Sequence, residues 1–252
     1  MAKRSEEMVT GRRNVMEAIR SGKAYKLMVL KNARGKVIQI IEEARIEGIP
    51  VEKWERSSFD ALATTCDKDN SHQGVAALVE GYSYLPWDQL IEEKKNTSKF
   101  ELILLLDHLQ DPHNLGALLR TAEASGVKNL IIPKDRSVQV NATVRKVAAG
   151  AAEWVNVSRV TNINKAIKEL KEIGFWIYGA SVNGVVPYYQ VDWQRKVGLI
   201  LGSEGKGISR LAEKNCDELI YLPMVGQLNS INVSVSGGLL MYEFRRHLEG
   251  WR

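Results

Sequence analysis

The chain has 252 residues and a mass of 28.3 kDa, which allows one large domain or two smaller ones around a substantial core. Hydrophobic residues make up 44% and charged residues 26%, and this balance excludes a largely disordered chain. The 35 Lys and Arg residues outnumber the 30 Asp and Glu residues, so the charge of +5 permits a polyanionic partner without requiring one.

Residues 1–80 alternate between helical and strand patterns and predict a small α/β domain. The first 36 residues carry ten basic and three acidic side chains, which fits either a solvated face or a phosphate-binding surface. The predicted elements are a helix at Met8–Ser21, a strand at Tyr25–Leu30, a helix at Val37–Glu47, a strand at Ile49–Trp54, a helix at Phe59–Thr65 and a strand at His72–Leu78.

Residues 81–100 contain Pro86 and a charged EEKKNTSK run, and they predict a linker that holds a short helix at Trp87–Lys94. Residues 101–252 alternate strand and helix, which predicts a parallel sheet covered on both faces, with function at the strand ends. The predicted strands are Glu101–Asp107, Asn129–Pro133, Trp154–Val157, Phe175–Ala180, Val197–Leu201 and Glu218–Leu222. The predicted helices are Leu115–Ser125, Thr143–Ala149, Ile163–Ile173, Ser209–Asn215 and Val233–His247.

The start of the chain, MAKRSEEMVTGRRN, lacks the apolar segment of a secretory leader, and no apolar run approaches the roughly 18 residues of a membrane span. We therefore expect a cytoplasmic protein. The two cysteines, Cys66 and Cys216, lie far apart and outside any metal-binding spacing, so both are predicted to be buried thiols.

Polar residues and glycines are concentrated at three places where a predicted strand ends. The first is the run Asp107–Gly116, which leads into a helix that carries Arg120. A helix N-cap is the simplest interpretation of Asn114, and a surface ion pair is the simplest interpretation of Arg120, although both residue types also suit a ligand site. His108 and His113 do not have the HExxH spacing, so no metal site is predicted.

The second place, Leu199–Ser209, has three glycines that allow either a plain turn before an N-cap at Ser209 or a backbone that approaches a ligand closely. Their G-x-x-G-x-G spacing matches neither the dinucleotide fingerprint nor a Walker A loop, and Glu204 suits a hydroxyl or an amine better than a phosphate.

The third place, Leu222–Ser234, has Asn and Ser among aliphatic residues before a helix, and capping explains only one or two of them. Basic residues near the first two places suit either a phosphate backbone or an ordinary solvated surface, namely Arg120, Lys134, Arg136, Arg145 and Lys146.

Three segments in this order, NLGALLRTAEASGV, LILGSEGKGIS and LPMVGQLNSINVSVSGGLLMYE, resemble the signature motifs of the SpoU, or TrmH, family of RNA ribose 2′-O-methyltransferases. The resemblance spans residues 102–248. The segments GRRNVMEAI and SHQGVAALV resemble the small ribosomal-protein-like domain of RlmB-type members, which favours ribosomal RNA over transfer RNA as the substrate.

The resemblance implies an α/β SPOUT fold, in which the C-terminal part of the parallel sheet forms a deep trefoil knot. It also implies an RNA-binding domain at residues 1–80, S-adenosylmethionine in the knot, no metal, and a homodimer whose site is completed across an interface that includes the Gly237–Gly238 helix. The cofactor-binding residues would be Leu201, Gly202, Leu222, Met224, Ser230 and Ile231. The catalytic residues would be Asn114, Arg120, Glu204, Ser230 and Asn232.

The implied reaction needs a ribose hydroxyl that is made nucleophilic and aligned with a sulfonium methyl group. The family proposal makes Arg120 the base, but a guanidinium normally stays protonated up to about pH 12. We therefore expect Arg120 to contact the adjacent phosphate and stabilise the developing alkoxide, with action as the base as the second alternative. Asn114 and Asn232 would orient the ribose and Arg120, while Glu204 and Ser230 would hold the loops and the substrate.

The expected substrate is a guanosine of large-subunit ribosomal RNA. Three alternatives remain open: a transfer RNA ribose methyltransferase, a non-catalytic RNA-binding ribosome-assembly protein, and a SPOUT relative that methylates a base.

Overall fold

The computed structural model describes residues 6–64, 72–96 and 100–250. It divides the chain into two compact units, Met1–Ser83 and Tyr84–Arg252. The prediction for Cys66 lies outside the described residues. In the described part of the chain, no helix is both long and apolar enough to cross a bilayer.

The first unit is a four-stranded sheet in the order β1-β4-β2-β3, with helices packed against it. Strand β4 runs antiparallel to β1 and β2, and β2 runs parallel to β3. Val15, Ile19, Leu27, Ile40 and Val75 are buried in its core. The elements are β1 (Glu6–Thr10), α1 (Arg12–Arg20), β2 (Ala24–Leu30), α2 (Lys36–Ile46), β3 (Val51–Trp54), α3 (Arg56–Thr64) and β4 (Val75–Glu80).

The start of the first unit differs from the predicted helix at Met8–Ser21, because residues 8–10 belong to strand β1 and helix α1 begins at Arg12. Gly11 separates the two elements with a φ of 87°, a conformation that other residues avoid. Strand β4 likewise begins at Val75 rather than His72, because Gln73 and Gly74 form a turn with positive φ angles.

The second unit is a seven-stranded sheet in the order β7-β6-β5-β10-β8-β11-β9, and all neighbouring strands are parallel. This confirms the predicted α/β fold with a parallel sheet. The strands are β5 (Glu101–Asp107), β6 (Asn129–Pro133), β7 (Asn156–Val160), β8 (Trp176–Ala180), β9 (Val186–Pro187), β10 (Lys196–Gly202) and β11 (Glu218–Tyr221). The helices are α4 (Trp87–Lys95), α5 (Pro112–Ala124), α6 (Ala142–Ala148), α7 (Ile163–Glu172), α8 (Arg210–Asn215) and α9 (Val233–Glu249), with 3-10 turns at Ala151–Glu153 and Tyr188–Gln190.

Two segments of the second unit differ from their predictions. Trp154, predicted to begin a strand, follows a 3-10 turn, and β7 begins at Asn156. Residues 84–96, predicted to be linker, are packed into the unit: Leu90 is fully buried and Leu85 N donates to Val157 O at 2.9 Å. One apolar helix face inside a charged run is enough to anchor a short helix to a core.

Strand β11 has hydrogen-bonded neighbours on both sides. It pairs with β8 on one side, where Ser181 N donates to Ile220 O, and with the segment that leads to β9 on the other, where Val185 N donates to Leu219 O. A Cβ atom on Gly184 would lie 2.5 Å from the Ile220 carbonyl carbon, so this segment crosses β11 in close contact. The sheet therefore presents the carboxyl ends of β5, β10 and β11 at one edge, where the polar loops lie.

Candidate functional site

The loop after β5 places Asn114 inside the first turn of α5. The N-cap of this helix is Asp111, whose Oδ1 accepts from His113 N at 2.8 Å, and Pro112 follows it. The interpretation of Asn114 as the cap is therefore wrong. Its side chain is 6% exposed, and its Nδ2 donates to Glu204 Oε1 at 2.5 Å.

The loop after β11 ends at Asn232, which has two structural roles. Its Oδ1 caps α9 by accepting from Ser234 N at 2.8 Å, and its Nδ2 donates to Asn114 Oδ1 at 3.0 Å. Asn114 thus connects Glu204 and Asn232, and one hydrogen-bonded network joins the loops after β5, β10 and β11. We call these three residues the Asn-Glu-Asn network.

The loop after β10 is a tight turn that carries Glu204 at its tip. Ser203 and Gly207 exchange backbone hydrogen bonds of 3.1 and 2.9 Å. A Cβ atom on Gly202 would lie 1.9 Å from the Gly207 carbonyl carbon, so only glycine fits at this position. The close backbone approach predicted from the glycine pattern is made here between two parts of the same loop.

A buried acid fixes the base of this loop. Asp107, at the end of β5, is 1% exposed and its Oδ2 accepts from Ser209 N at 2.7 Å. Its Oδ1 lies 2.5 Å from His108 Nδ1, and His108 adopts a positive φ of 61°. Among the described residues, no group of three or more His, Cys, Asp or Glu side chains is arranged to hold a metal ion.

A cavity of about 330 Å³ opens beside the network. Its walls come from the ends of β8, β10 and β11 and from the loop that precedes α9. All six residues predicted to bind a cofactor line it, namely Leu201, Gly202, Leu222, Met224, Ser230 and Ile231, and Glu204 lines it as well.

A fourth wall of the cavity, which was not predicted from the sequence, follows β8. Ser181 and Asn183 line the cavity, and Ser181 Oγ donates to Glu213 Oε1 at 2.9 Å, so helix α8 contributes Glu213 to the same wall. The available signal was the polar segment Ser181–Gly184 at the end of a buried strand, because all parallel strands end at the same edge.

Arg120 is separate from the residues above. Its side chain is exposed on α5, does not line the cavity, and forms no ion pair or hydrogen bond with any residue in the described ranges. Of the five predicted catalytic residues, Glu204 and Ser230 line the cavity. Asn114 and Asn232 are joined to Glu204 by the hydrogen bonds of the network, and Arg120 takes part in neither.

Helix α9 packs against its own chain through the glycines that were expected at a subunit interface. A Cβ atom on Gly237 would lie 2.5 Å from Leu118 Cδ2, so this glycine serves close packing within the unit. The helix instead exposes an apolar face formed by Val235, Leu239 and Tyr242, whose side chains are each about half exposed. Their spacing of four and three residues places them on one side of the helix.

Family models match both units of the chain. Residues 101–242 match the SpoU rRNA Methylase family, and residues 8–85 match the family described as RNA 2′-O ribose methyltransferase substrate binding. A Staphylococcus epidermidis protein assigned to the TrmH family of tRNA/rRNA methyltransferases is 42% identical over 241 residues, which cover 95% of each chain.

Solved structures share the fold. An rRNA methyltransferase from Sinorhizobium meliloti, solved with bound AdoMet, superposes with a TM-score of 0.63 at 23% identity, over 96% of this chain and 88% of the other. The SpoU methyltransferase AviRb from Streptomyces viridochromogenes, also in complex with AdoMet, has a TM-score of 0.65 at 19% identity, over 98% of this chain and 92% of the other.

The cavity fits S-adenosylmethionine. Its volume of about 330 Å³ falls within the range of roughly 300–1,000 Å³ that small-molecule sites occupy. The cofactor combines an apolar adenine face with a cationic sulfonium and a charged amino acid group, and the lining offers aliphatic walls together with Glu204, Lys206 and Glu213. The two family models, the close relative and this cavity show that the chain belongs to the SpoU/TrmH family of S-adenosylmethionine-dependent RNA methyltransferases, which confirms the resemblance of its three motifs.

Proposed function

We propose that this protein methylates the ribose 2′-hydroxyl of a guanosine in large-subunit ribosomal RNA. The observation that carries the proposal is the Asn-Glu-Asn network, which brings polar groups from three loops to the mouth of the cavity. Side-chain amides and a carboxylate that are arranged neither to bind a metal nor to stack on a base are suited to form hydrogen bonds with a sugar hydroxyl. The match of residues 8–85 to a ribose methyltransferase substrate-binding family supports the ribose as acceptor.

The hydrogen bonds within the Asn-Glu-Asn network fix the directions of the polar groups that they leave unused. Asn114 uses one amide hydrogen on Glu204 and one lone pair on Asn232, so its second amide hydrogen remains for the ribose. Glu204 Oε2 bonds to no residue of the described ranges and is placed to accept a hydrogen bond from a sugar hydroxyl. Bound S-adenosylmethionine supplies the electrophilic methyl group. Ser230, which lines the cavity, holds the surrounding loops and the substrate near it.

Arg120 enters this site from a second subunit. The exposed apolar face of Val235, Leu239 and Tyr242 on α9 supports a homodimer, since such a face is stabilised by burial against another copy. Helix α5, which carries Arg120, packs directly beside α9, where Thr121 lies next to Gly238. The guanidinium of Arg120 then contacts the phosphate beside the target nucleotide and stabilises the developing alkoxide.

The path of β11 supports a trefoil knot in the second unit. This strand lies between β8 and β9, the segment that leaves β8, which is the arrangement expected if the chain is threaded through the loop that joins those two strands.

The first unit is proposed to bind the RNA. Some of the basic side chains among its first 36 residues are neutralised by ion pairs, such as that of Lys26 with Glu52. Four exposed cations of the same segment have no ion-pair partner among the described residues, namely Arg12, Arg13, Arg34 and Lys36.

Radiolabelled methyl transfer tests the proposal. The purified protein is incubated with methyl-labelled S-adenosylmethionine and with ribosomal or transfer RNA from cells that lack this protein. We expect label in large-subunit ribosomal RNA at a guanosine whose 3′ phosphodiester resists alkaline cleavage, because a 2′-O-methyl group blocks that cleavage. Label in transfer RNA alone would overturn the ribosomal assignment. Label on an alkali-sensitive nucleotide would indicate base methylation, and RNA binding without transfer would indicate a non-catalytic protein.

A further inference from the structure

A second cleft, of about 460 Å³, lies at the carboxyl end of β7, outside the cavity and the Asn-Glu-Asn network. It is formed by the segment that leads into α4, the ends of β6 and β7, and the start of α7. Its lining includes the cations Lys134, Arg159 and Lys165. We call it the Arg159 cleft.

The charges in the Arg159 cleft favour an anion. Two acids also line it, but Glu169 already accepts from Trp87 Nε1 at 2.6 Å and lies 3.5 Å from Lys165, which leaves Asp88 as the one exposed acid of the lining. Lys134 and Arg159 form no ion pair with a residue in the described ranges. Helix α7 begins in the cleft, and its N-terminal dipole adds positive potential.

Arg159 is held in place by an aromatic ring rather than by a carboxylate. Its guanidinium carbon lies 3.9 Å from the centroid of the Tyr84 ring, and the side chain is half-buried. Tyr84 is fixed in turn, because its hydroxyl oxygen accepts from Val140 N at 2.9 Å. A stacked guanidinium keeps its in-plane N–H groups for a ligand, and this fork matches the oxygens of a phosphate.

Two hydrogen bonds connect the loop beside the cleft with a loop of the proposed active site. The loop after β6 is tied to the loop after β5, since Gln110 Nε2 donates to Arg136 O at 2.6 Å and Val138 N donates to Leu109 O at 2.7 Å. Strand β7 lies two positions from β5 in the sheet, which corresponds to about 10 Å. A polynucleotide that enters the active site can therefore place a neighbouring phosphate at β7.

We infer that the Arg159 cleft binds a backbone phosphate of the RNA substrate, one or two nucleotides from the methylated ribose. The inference rests on the proposed ribose methylation only for the place of that phosphate relative to the target. Such a contact positions the strand and carries no base information, so it raises affinity for RNA without selecting the sequence.

Anisotropy of a fluorescein-labelled RNA hairpin, measured with the full chain from roughly 50 to 200 mM KCl, tests the inference. Arg159→Gln and the exposed Lys134→Gln remove the two cations. Arg159→Lys keeps the charge without the planar fork. Lys128→Gln is the matched control, because Lys128 is an exposed cation just before β6, at the opposite edge of the sheet.

We expect Arg159→Gln to weaken RNA binding about tenfold and to reduce the salt dependence by about one phosphate contact, with a smaller loss for Arg159→Lys. Lys134→Gln should weaken binding in the same direction, while Lys128→Gln and the affinity of every variant for S-adenosylmethionine stay unchanged. Native RNA affinity and salt dependence in both Arg159→Gln and Lys134→Gln would overturn the inference, as would equal losses in Lys128→Gln. Weakened RNA binding in a protein that methylates no ribose would refute the proposed function and leave the cleft assignment standing.

Discussion

Asn232 donates its side-chain amide to Asn114 at 3.0 Å while its side-chain oxygen caps helix α9. One side chain thus fixes the start of a helix and the orientation of a residue in another loop. Glu204 completes the arrangement through Asn114. The helix cap and the proposed catalytic geometry therefore depend on different atoms of one side chain, and substitutions at Asn232 can separate the two roles.

Asn232→Ser should retain the cap and lose the amide donor, whereas Asn232→Ala should lose both. We expect urea unfolding to show Asn232→Ala about 1 kcal/mol less stable than Asn232→Ser, because both variants lose the hydrogen bond to Asn114 and only the alanine also loses the cap. Methyl transfer should fall about a hundredfold in both variants, because Asn114 loses its orientation. Native transfer rates in Asn232→Ser would show that the hydrogen bond to Asn114 is not used in the reaction.

Mixed dimers test whether Arg120 acts across subunits. Arg120→Ala and Asn114→Ala should each be inactive alone while S-adenosylmethionine binding survives in Arg120→Ala. When equal amounts are unfolded and refolded together, half of the dimers contain one chain of each kind. If Arg120 serves the partner's site, each mixed dimer has one intact site and the sample regains about a quarter of native activity. No recovery in a refolded sample that contains dimers would place Arg120 in the site of its own chain or outside the reaction.

Gly202→Ala should abolish S-adenosylmethionine binding, because the added Cβ would lie 1.9 Å from the Gly207 carbonyl carbon and force the loop to move. Gly205→Ala is the matched control in the same loop, since its Cβ would meet no atom within 4 Å and its φ is not positive. Calorimetric titration with S-adenosylmethionine should show native affinity for Gly205→Ala. A native affinity in Gly202→Ala would contradict the placement of the cofactor against this loop.

Tyr178 should make the protein sensitive to alkali. The side chain is 1% exposed, and burial raises its pKa from 10.0 to about 12. The folded state therefore favours the protonated phenol, so this contribution to stability is complete below pH 10 and is lost as the pH rises towards 12. The free energy of unfolding should fall by up to about 1.4 kcal/mol per pH unit in that window.

Tyr178→Phe lacks this titration but also loses the hydrogen bond to Asp192 O at 3.1 Å, so it should be less stable at neutral pH. Urea unfolding at neutral and alkaline pH measures the free energy of unfolding of the unsubstituted protein and of Tyr178→Phe. The difference between the two values should become smaller above pH 10. If this difference in unfolding free energy does not change with pH, Tyr178 has the same pKa in the folded and unfolded states.

Local patterns predict best the elements that are buried on both faces. Strands β5 and β6 occupy their predicted ranges because a continuous apolar run is typical of a central parallel strand. Strand β1 has no such pattern, since it lies at a sheet edge and owes its conformation to pairing with the distant β4. Its helix prediction ignored Gly11, the one local signal of a break.

The proposed site, too, can be predicted from the sequence only where a local pattern determines the structure. The three polar loops can be found from the sequence because strand ends are recognisable and parallel strands share an edge. Capping preference favours Asn114 as an N-cap, yet Asp111 takes that place because Pro112 fits the first helical position after it. The distance of Arg120 from the network depends on helix packing and on assembly, and neither is written in a local pattern.

Strand β10 lies in the middle of the seven-stranded sheet, although it is among the last strands of the chain. During synthesis, β5 and β8 therefore lack their shared partner until residues 196–202 have left the ribosome. A nascent chain that stops before that point exposes two apolar strand edges, which makes it a substrate for chaperones and prone to aggregation. The lining of the cavity extends to Leu240, so a chain that stops before this residue lacks part of the proposed methyl-donor site.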